Sequence, residues 1–182
     1  MKLPFASFLT IMLTITLLYL LTITTHAKTN SKLFSQICNK TKHPQVCLII
    51  LNDDPRTRKA STVHDLGLGS LDIAISLAKS SADVFNNDSL KMKNGAQKQN
   101  CVNCRDMYKK VADQLSGAKS MIRRNDFATT RKILDAASKV PNSCRKELGE
   151  PPAKVKRANE TLNIIFGIAS VILKELTRNK NS

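Results

Sequence analysis

The stretch CNKTKHPQVC, residues Cys38–Cys47, decides how the chain begins its fold. Helical patterns flank its centre, from Leu33 to Asn39 and from Pro44 to Leu51. Pro44 suits the first position of a helix, because its ring already fixes a helical φ and the missing N–H needs no partner there. A disulfide between the two cysteines would close a helical hairpin. By the loop-closure model it would stabilise that hairpin by about 2.7 kcal/mol.

Upstream of this stretch, the chain has the pattern of a secretory signal peptide. Lys2 supplies a positive charge, an apolar run extends from Leu3 to about Ile23, and small residues lead to a cleavage point after Ala27. The run is also about long enough to cross a bilayer, so a membrane anchor is the alternative. Removal of the signal predicts a secreted chain with no membrane association, in an oxidising environment where close cysteines form disulfides.

Downstream of the hairpin, four long segments carry apolar residues at every third or fourth position, the period of an amphipathic helix. They cover about Ser61–Phe85, Gly95–Arg123, Asp126–Lys139 and Pro151–Leu176. Because short connectors join them, we expect an all-α, up-down-up-down four-helix bundle with an N-terminal α-hairpin. The expected organisation is a signal peptide (1–27), a hairpin extension (28–56), the bundle (57–177, within one domain spanning 28–177) and a polar tail (178–182).

Local residue types suggest where the long helices begin and end. The run Asn86–Asp88 predicts the end of the first, Asn125 suits the N-cap of the third, and Pro141 stops or bends that third helix. Gly67 and Gly69 lie near the start of the first long helix. Since each costs up to about 1 kcal/mol relative to Ala, they indicate close packing or a kink.

The composition is strongly basic. The chain has 29 Lys and Arg against 14 Asp and Glu, and removing the signal peptide takes away only Lys2, so the mature charge is 28 − 14 = +14. Such a charge favours polyanions or acidic protein surfaces as neighbours, although it also serves solubility alone. Nucleic acid is not expected, because the chain has no Trp, two Tyr and no base-stacking motif.

Residues able to carry out catalysis are scarce. The mature chain has two histidines, His43 and His64, and neither has a partner at a recognisable spacing. Cys101 and Cys104 form a C-x-x-C inside a helical stripe, without the preceding strand of a redox motif, and no second ligand pair suggests zinc. The sequence therefore predicts a binding protein rather than an enzyme, with no catalytic residue, metal or cofactor. The spacing leaves open whether Cys101 or Cys104 pairs with Cys144.

Three N-glycosylation sequons are present in the mature region. They begin at Asn39, Asn87 and Asn159. A secreted chain is able to carry sugar at each of them, so all three are candidate modification sites.

These residues also match the pattern of a known family. The opening signature Cys-x-x-Thr-x-x-Pro-x-x-Cys is present, a Cys-x-x-x-Tyr element lies in the second long helix, and an Ala-Ala segment precedes a further cysteine. The matching residues are Cys38, Thr41, Pro44, Cys47, Cys104, Tyr108, Asp135-Ala136-Ala137 and Cys144. Over essentially the whole mature region, the chain resembles the plant invertase and pectin methylesterase inhibitor family.

The resemblance implies a four-helix bundle with a hairpin, with disulfides Cys38–Cys47 and Cys104–Cys144 and with Cys101 as a free thiol. The second bridge closes about forty residues, which the loop-closure model values at roughly 4 kcal/mol. Family members are proteinaceous inhibitors that form complexes with pectin methylesterase or with cell-wall or vacuolar invertase and block the substrate cleft.

Two departures from the family pattern bear on the target. Arg145–Leu148 stand where many members have an acidic patch, and Pro141–Pro152 lack the Pro-Lys-Phe triplet of many invertase inhibitors. The leading hypothesis is a secreted inhibitor of pectin methylesterase, acting as a 1:1 complex in the apoplast or cell wall, where the positive charge also attracts pectin.

Three alternatives remain. The first is an inhibitor of a cell-wall or vacuolar invertase, with the Pro141–Pro152 connector entering the sugar site. The second is a non-inhibitory, basic wall-binding protein on the same fold. The third, the pro-region of a pectin methylesterase, is disfavoured because the chain ends at Ser182 with no enzyme after it.

The resemblance also suggests where a target enzyme would bind. In the family, faces of the second to fourth long helices contact pectin methylesterase. Polar residues outside the apolar stripes are therefore candidates by position, with a solvated surface as the alternative for each. They are Arg105, Lys109, Gln114, Arg131, Asp135 and Lys139.

Overall fold

The computed structural model describes residues 11–17, 32–93 and 95–180, and these residues form helices joined by short turns, with no strand among them. The predicted signal peptide lies outside the described residues except for 11–17, which are helical and exposed. Eight helices follow: α1 (32–38), α2 (Pro44–Asp53), α3 (Pro55–Arg58), α4 (Val63–Lys91), α5 (Ala96–Arg123), α6 (Phe127–Ala137), α7 (Val140–Leu148) and α8 (Ala153–Lys180).

Helices α4, α5, α6 and α8 form the predicted four-helix bundle. Helix α4 packs along α5 and α8, and α6 packs against the same two neighbours. Consecutive helices run antiparallel: His64 at the start of α4 contacts the Ile122 carbonyl at the end of α5, with 3.2 Å between Nε2 and the oxygen. Lys180 at the end of α8 reaches the Asn125 carbonyl before α6. The predicted all-α bundle with a hairpin and two disulfides is confirmed.

The core forms where the apolar stripes of the four helices meet. Phe85 and Tyr108 lie face to face at its centre, with their ring centroids 5.7 Å apart. Large side chains with at most 2% exposure extend the core along the helices. They include Leu66, Leu71, Leu115, Ile122, Leu162, Ile165 and Ile168. Burial of such side chains is the main stabilising term of the fold.

The predicted end of the first long helix at Asn86–Asp88 is wrong, because α4 continues to Lys91. Ser89, one turn further on, is buried at 3% exposure and its hydroxyl donates to the Asn86 carbonyl at 2.7 Å. Tertiary packing of this last turn therefore outweighs the weak helix propensity of the three polar residues. At the other end, Thr62 Oγ1 accepts a hydrogen bond of 3.0 Å from the Asp65 N–H and caps the helix.

The predicted N-cap of the third long helix is one residue away from the observed one. Asn125 has φ of 57°, a left-handed conformation that asparagine tolerates better than most residues. Asp126 caps α6 instead, since its Oδ1 accepts a hydrogen bond of 3.0 Å from the Thr129 N–H. Asn125 therefore turns the chain between α5 and α6, and Asp126 begins the next helix.

Pro141 does not simply end the third long helix but lies in the first turn of a separate helix, α7. Helix α6 ends at Ala137, two residues before the predicted boundary. The sequence pattern missed α7 because the helix is only nine residues long and buries few side chains. A second short helix, α3, follows α2 directly, and its N-cap Asp54 accepts a hydrogen bond from the Arg56 N–H at 2.9 Å.

A disulfide closes the hairpin, and the short helix after it packs on the bundle. The disulfide joins Cys38 and Cys47, whose Cα atoms are 5.5 Å apart. Helix α3 lies directly on α4 at Gly69, where a Cβ atom would come within 2.6 Å of the Arg56 carbonyl oxygen. The close packing that Gly69 indicated is therefore present.

At the far end of α8, the helix continues three residues beyond the predicted bundle boundary, and Asn181 and Ser182 lie outside the described residues.

Candidate target-binding surface

The disulfide between Cys104 and Cys144 fixes α7 against the middle of the bundle. Their Cα atoms are 5.3 Å apart, although the residues are forty positions apart in the chain. Asn100 adds a second tie, since its Nδ2 donates to the Glu147 carbonyl at 2.8 Å. Consequently α5 and α7 form one cross-linked unit that presents a pre-ordered surface, which lowers the entropic cost of binding a partner.

The free thiol lies one helical turn before the bridged cysteine. Cys101 is 3% exposed and unbridged, and its Sγ lies 3.8 Å from Met92 Sδ. Burial raises the pKa of this thiol above its ordinary value, and the negative charge of Asp88 raises it by a smaller amount. A buried thiol of high pKa is a poor nucleophile, so the C-x-x-C pattern has no redox geometry here.

The six candidate interface residues do not share one face. Arg105 and Lys109 lie one turn apart on the side of α5 that faces α4, and the Arg105 Nη1 donates to Asn86 Oδ1 at 3.4 Å across that boundary. Arg105 also pairs with Asp106 at 2.8 Å and lowers the pKa of that carboxyl. Because a helix turns about 100° per residue, Gln114 is about 180° away from Arg105.

Two further candidates line a groove between α6 and the end of α8. Arg131 is half-buried and Asp135 is exposed on α6. Lys139 is exposed in the turn between α6 and α7, four residues after Asp135, and does not line the groove. The structure therefore distributes the six candidates over the α4–α5 side, the opposite side of α5, the α6–α8 groove and the α6–α7 turn.

Sequence reasoning missed this groove as a unit. We call it the α6–α8 groove and define it by its lining residues, with a volume of about 940 Å³. They are Arg124, Asn125, Asp126, Phe127, Ala128, Arg131, Lys132, Asp135, Lys174, Thr177, Arg178 and Lys180. The residues come from segments about fifty positions apart, so no local sequence signal reports their proximity. The only available sign was the basic excess of the whole chain.

A second depression lies between the hairpin turn and the outer surface of α8. Lys42 and His43 border it on one side and Glu160 and Gly167 on the other, and its volume is about 470 Å³. A Cβ atom on Gly167 would meet nothing within 4 Å among the described residues. The depression is therefore open, and nothing within the bundle explains a glycine at this position.

The three sequons differ in their surroundings. Asn39 is exposed in the hairpin turn and Asn87 is exposed on α4. Asn159 is half-buried on α8, and its Oδ1 accepts a hydrogen bond from the Tyr108 hydroxyl at 2.5 Å. The first two amides are open to modification, whereas the third already has a structural partner.

The described part of the chain contains no group of three or more His, Cys, Asp or Glu side chains placed to hold a metal ion. In the same residues, no helix is both long enough and apolar enough to cross a membrane. His43 and His64 lie on different elements, at the hairpin turn and at the start of α4.

Comparison with known proteins places this architecture in a family. The family model described as plant invertase/pectin methylesterase inhibitor matches residues 32–179, which cover helices α1 to α7 and all but the last residue of α8. The chain belongs to this family. Proteins of the plant invertase/pectin methylesterase inhibitor family are enzyme inhibitors and not themselves enzymes, in agreement with the prediction of a non-catalytic chain.

Individual relatives agree with this family membership. A pectinesterase inhibitor from Actinidia deliciosa is 27% identical over 156 residues, which are 84% of each chain. A mutant form of a pectin methylesterase inhibitor from Arabidopsis superposes with a TM-score of 0.67 at 22% identity, over 78% of this chain and 95% of that one. A pectin methylesterase inhibitor from Arabidopsis thaliana gives 0.59 at 22% identity, over 80% and 97%. These structures share the inhibitor-family fold.

Proposed function

We propose that this member of the family is a secreted inhibitor of pectin methylesterase that forms a 1:1 complex and blocks the substrate cleft. The observation that carries the proposal is the similarity to the pectinesterase inhibitor of Actinidia deliciosa, which extends over 84% of both chains. The family match over residues 32–179 includes the hairpin, the bundle and both disulfides, so the similarity concerns the whole inhibitor unit and not one helix.

The structure supports a role in protein binding. Cross-linked helices α5 and α7 present side chains without the conformational freedom of a loop, and preorganisation of this kind improves affinity. The exposed polar candidates Lys109 and Lys139 lie on α5 and immediately before α7, each five residues from a bridged cysteine. An interface gains most of its energy from a few side chains, so one of the four candidate locations should dominate.

The alternative target, an acid invertase, receives less support from the structure. That hypothesis needed the Pro141–Pro152 connector to enter a sugar site. Most of this connector is helix α7, and Cys144 ties it to α5. A tethered helix has little freedom to reach into a deep pocket, and this favours pectin methylesterase.

We further propose that the chain acts in the extracellular cell wall, with the vacuole as the alternative compartment. The predicted signal peptide and the two disulfides support secretion. The mature charge of +14 favours retention by an acidic wall polymer. A non-inhibitory wall-binding protein is the alternative on the same fold.

A paired titration tests the proposal. The oxidised mature protein is added to a plant pectin methylesterase and, separately, to an acid invertase at the pH of the wall. We expect esterase activity to disappear near one inhibitor per enzyme and invertase activity to persist. Loss of invertase activity alone would show that the target is an invertase. If neither enzyme lost activity, the non-inhibitory wall-binding protein would be the remaining alternative.

Charge-reversal variants then locate the binding surface. Lys109→Glu and Lys139→Glu each change one candidate location, and Lys154→Glu, at an exposed position of α8 outside the candidates, serves as the control. We expect one of the first two to weaken inhibition by about tenfold or more, as for a dominant interface side chain. Equal inhibition by all three variants would remove both candidate locations.

A further inference from the structure

The α6–α8 groove is lined by an excess of positively charged side chains. Its lining contains six basic and two acidic residues, an excess of four positive charges. The basic residues are Arg124, Arg131, Lys132, Lys174, Arg178 and Lys180, and the acidic residues are Asp126 and Asp135. Concentration of like charge on one surface is unfavourable in the free protein and favourable only with an anionic neighbour.

The excess of four already counts both acidic side chains as charged. Asp126 is occupied as the N-cap of α6, and the hydrogen bond from the Thr129 backbone N–H lowers the pKa of its carboxyl. Asp135 is exposed at the far end of the groove. On the basic side, Arg178 is paired with Glu175 at 2.5 Å. Lys132 and Lys174 are exposed on opposite walls, one on α6 and one on α8.

The shape of the groove suits a segment of a chain-like ligand. Its α6 wall extends from Ala128 to Asp135, which corresponds to about 10 Å at a rise of 1.5 Å per residue. The volume of about 940 Å³ is at the upper end of ligand sites and far larger than a single ion requires. Because two helices form the long walls, the groove is open at its surface and a polymer is able to pass along it.

The chemistry of the lining distinguishes between polyanions. Phe127 is the one aromatic residue of the lining, and it is 7% exposed. A nucleic acid would find no ring on which to stack its bases, which is a main source of affinity for single strands. A linear polysaccharide with regularly spaced carboxylates requires only cations along its path and polar groups beside them. Asn125 and Thr177 provide such polar groups.

We propose that the α6–α8 groove binds a segment of carboxylate-bearing polysaccharide of the de-esterified pectin type. The identity of the polymer rests on the proposed function, since a pectin methylesterase converts methyl esters of this polymer into carboxylates. The site itself rests on the groove. The inhibitor is then held where the acidic product of its target accumulates, by a surface separate from Lys109 and Lys139.

Salt dependence is an intrinsic property of such a site. The groove cations are largely exposed, and attraction between exposed charges is screened over about 8 Å at physiological ionic strength. Binding should therefore weaken steeply as salt is raised. It should also vanish with a fully methyl-esterified polymer of the same length, because that polymer is neutral.

Matched variants test the location. The groove variant combines Lys132→Gln, Lys174→Gln and Lys180→Gln, and the control combines Lys79→Gln, Lys110→Gln and Lys154→Gln, which are also exposed. Both lose three positive charges, so they have equal net charge. Binding of the oxidised mature protein to polygalacturonate and to its fully methyl-esterified form is measured by calorimetry without any esterase present.

We expect the groove variant to bind polygalacturonate about tenfold more weakly and the control to change less than about twofold. Equal weakening in both variants would show attraction by net charge alone and overturn the site. Equal binding of the esterified polymer, or no binding by the unmodified protein, would also overturn it. Thermal melts verify that both variants are folded. Esterase inhibition is measured separately. Loss of polygalacturonate binding would therefore not contradict the proposed inhibition, and absence of inhibition would not contradict polygalacturonate binding.

Discussion

The hydroxyl of Tyr108 donates a hydrogen bond of 2.5 Å to Oδ1 of Asn159 and joins the middle of α5 to the second turn of α8. The Tyr108 ring is fully buried and stacks on Phe85. A buried hydroxyl needs such a partner, because an unsatisfied one costs about 1 to 3 kcal/mol. Two residues that the sequence presented separately, a family-pattern tyrosine and a sequon asparagine, thus form one structural pair.

Tyr108→Phe should lower the free energy of unfolding by about 1 kcal/mol near neutral pH, because the half-buried Asn159 oxygen loses its donor. Burial raises the pKa of Tyr108 to about 12 in the folded state, despite the opposing effect of the Asn159 hydrogen bond. The folded state therefore favours the protonated phenol over the unfolded state, whose pKa is about 10. This stabilisation is complete below pH 10 and is lost as pH rises towards 12.

Denaturant unfolding of both proteins at pH 8 and pH 11 measures this effect. The stability difference between wild type and Tyr108→Phe should shrink at the higher pH. Tyr108 is the only tyrosine of a chain beginning at Lys28, so tyrosinate absorbance reports it directly. A midpoint near 10 would contradict a buried hydroxyl.

Asn159 should carry no sugar in the folded protein, whereas Asn39 and Asn87 are accessible. N-linked sugar is attached to the side-chain nitrogen, and the half-buried Asn159 amide is held against the core because its oxygen accepts a hydrogen bond from the buried Tyr108 hydroxyl. Peptide mass spectrometry after enzymatic deglycosylation measures occupancy at each site. Full occupancy at Asn159 in active, folded protein would refute the pairing as the state of the mature protein.

Two glycine substitutions should have opposite effects on stability. Gly69→Ala is expected to destabilise the protein by about 1 to 3 kcal/mol, because the new methyl group would lie 2.6 Å from the Arg56 carbonyl oxygen and force α3 away from α4. Gly117→Ala should stabilise it by about 0.5 to 1 kcal/mol, since a Cβ there meets nothing within 4 Å among the described residues and alanine favours the helix. Thermal or urea unfolding of the pair provides the comparison. Equal melting of the two variants would argue against the α3–α4 contact.

The pair formed by Lys40 and Glu175 should make the hairpin pH-sensitive. Glu175 is 6% exposed, and its carboxylate accepts from Lys40 at 2.8 Å and from Arg178 at 2.5 Å. The Lys40 hydrogen bond is the main cause that lowers the pKa of Glu175. The stabilisation is therefore present above the ordinary glutamate pKa and is lost as pH falls through the lower, folded value.

Lys40→Gln should cost about 0.5 to 1 kcal/mol at pH 6, in the range of partly exposed ion pairs, and less at pH 3. Urea unfolding at both pH values measures the change, and Lys42→Gln, an exposed neighbour in the same turn, is the control. An identical loss for Lys40→Gln at the two pH values would mean that the interaction is not one of charge.

The two disulfides should contribute unequally. Cys104→Ala/Cys144→Ala is expected to lose about 4 kcal/mol and Cys38→Ala/Cys47→Ala about 2.7 kcal/mol, because the longer loop restricts the unfolded chain more strongly. Chemical unfolding of both double variants under oxidising conditions tests the order. Non-reducing peptide mapping of the unmodified protein should find Cys101 as the free thiol. A Cys101–Cys144 bridge would contradict the pairing.

The sequence predicted which residues were candidates for the target-binding surface, but not how they are arranged in space. Periodicity identified α5 and α6 and showed which positions face the core, so Arg105, Gln114 and Arg131 were correctly placed outside it. It did not report which side of each helix faces a neighbour. That depends on how α4, α7 and α8 pack around α5 and α6, and the six candidates consequently occupy four locations.

The sequence by itself determined the helical class, the hairpin signature and the number of long helices, because these depend on short-range periodicity and on the spacing of Cys38 and Cys47. Only the tertiary structure decided that Ser89 extends α4 and that Pro141 begins a new helix. It also decided that Tyr108 meets Asn159 and that Lys132 faces Lys174 across one groove. The physical reason is that such contacts join residues far apart in the chain, and their energies depend on burial and charge that arise once the helices have packed.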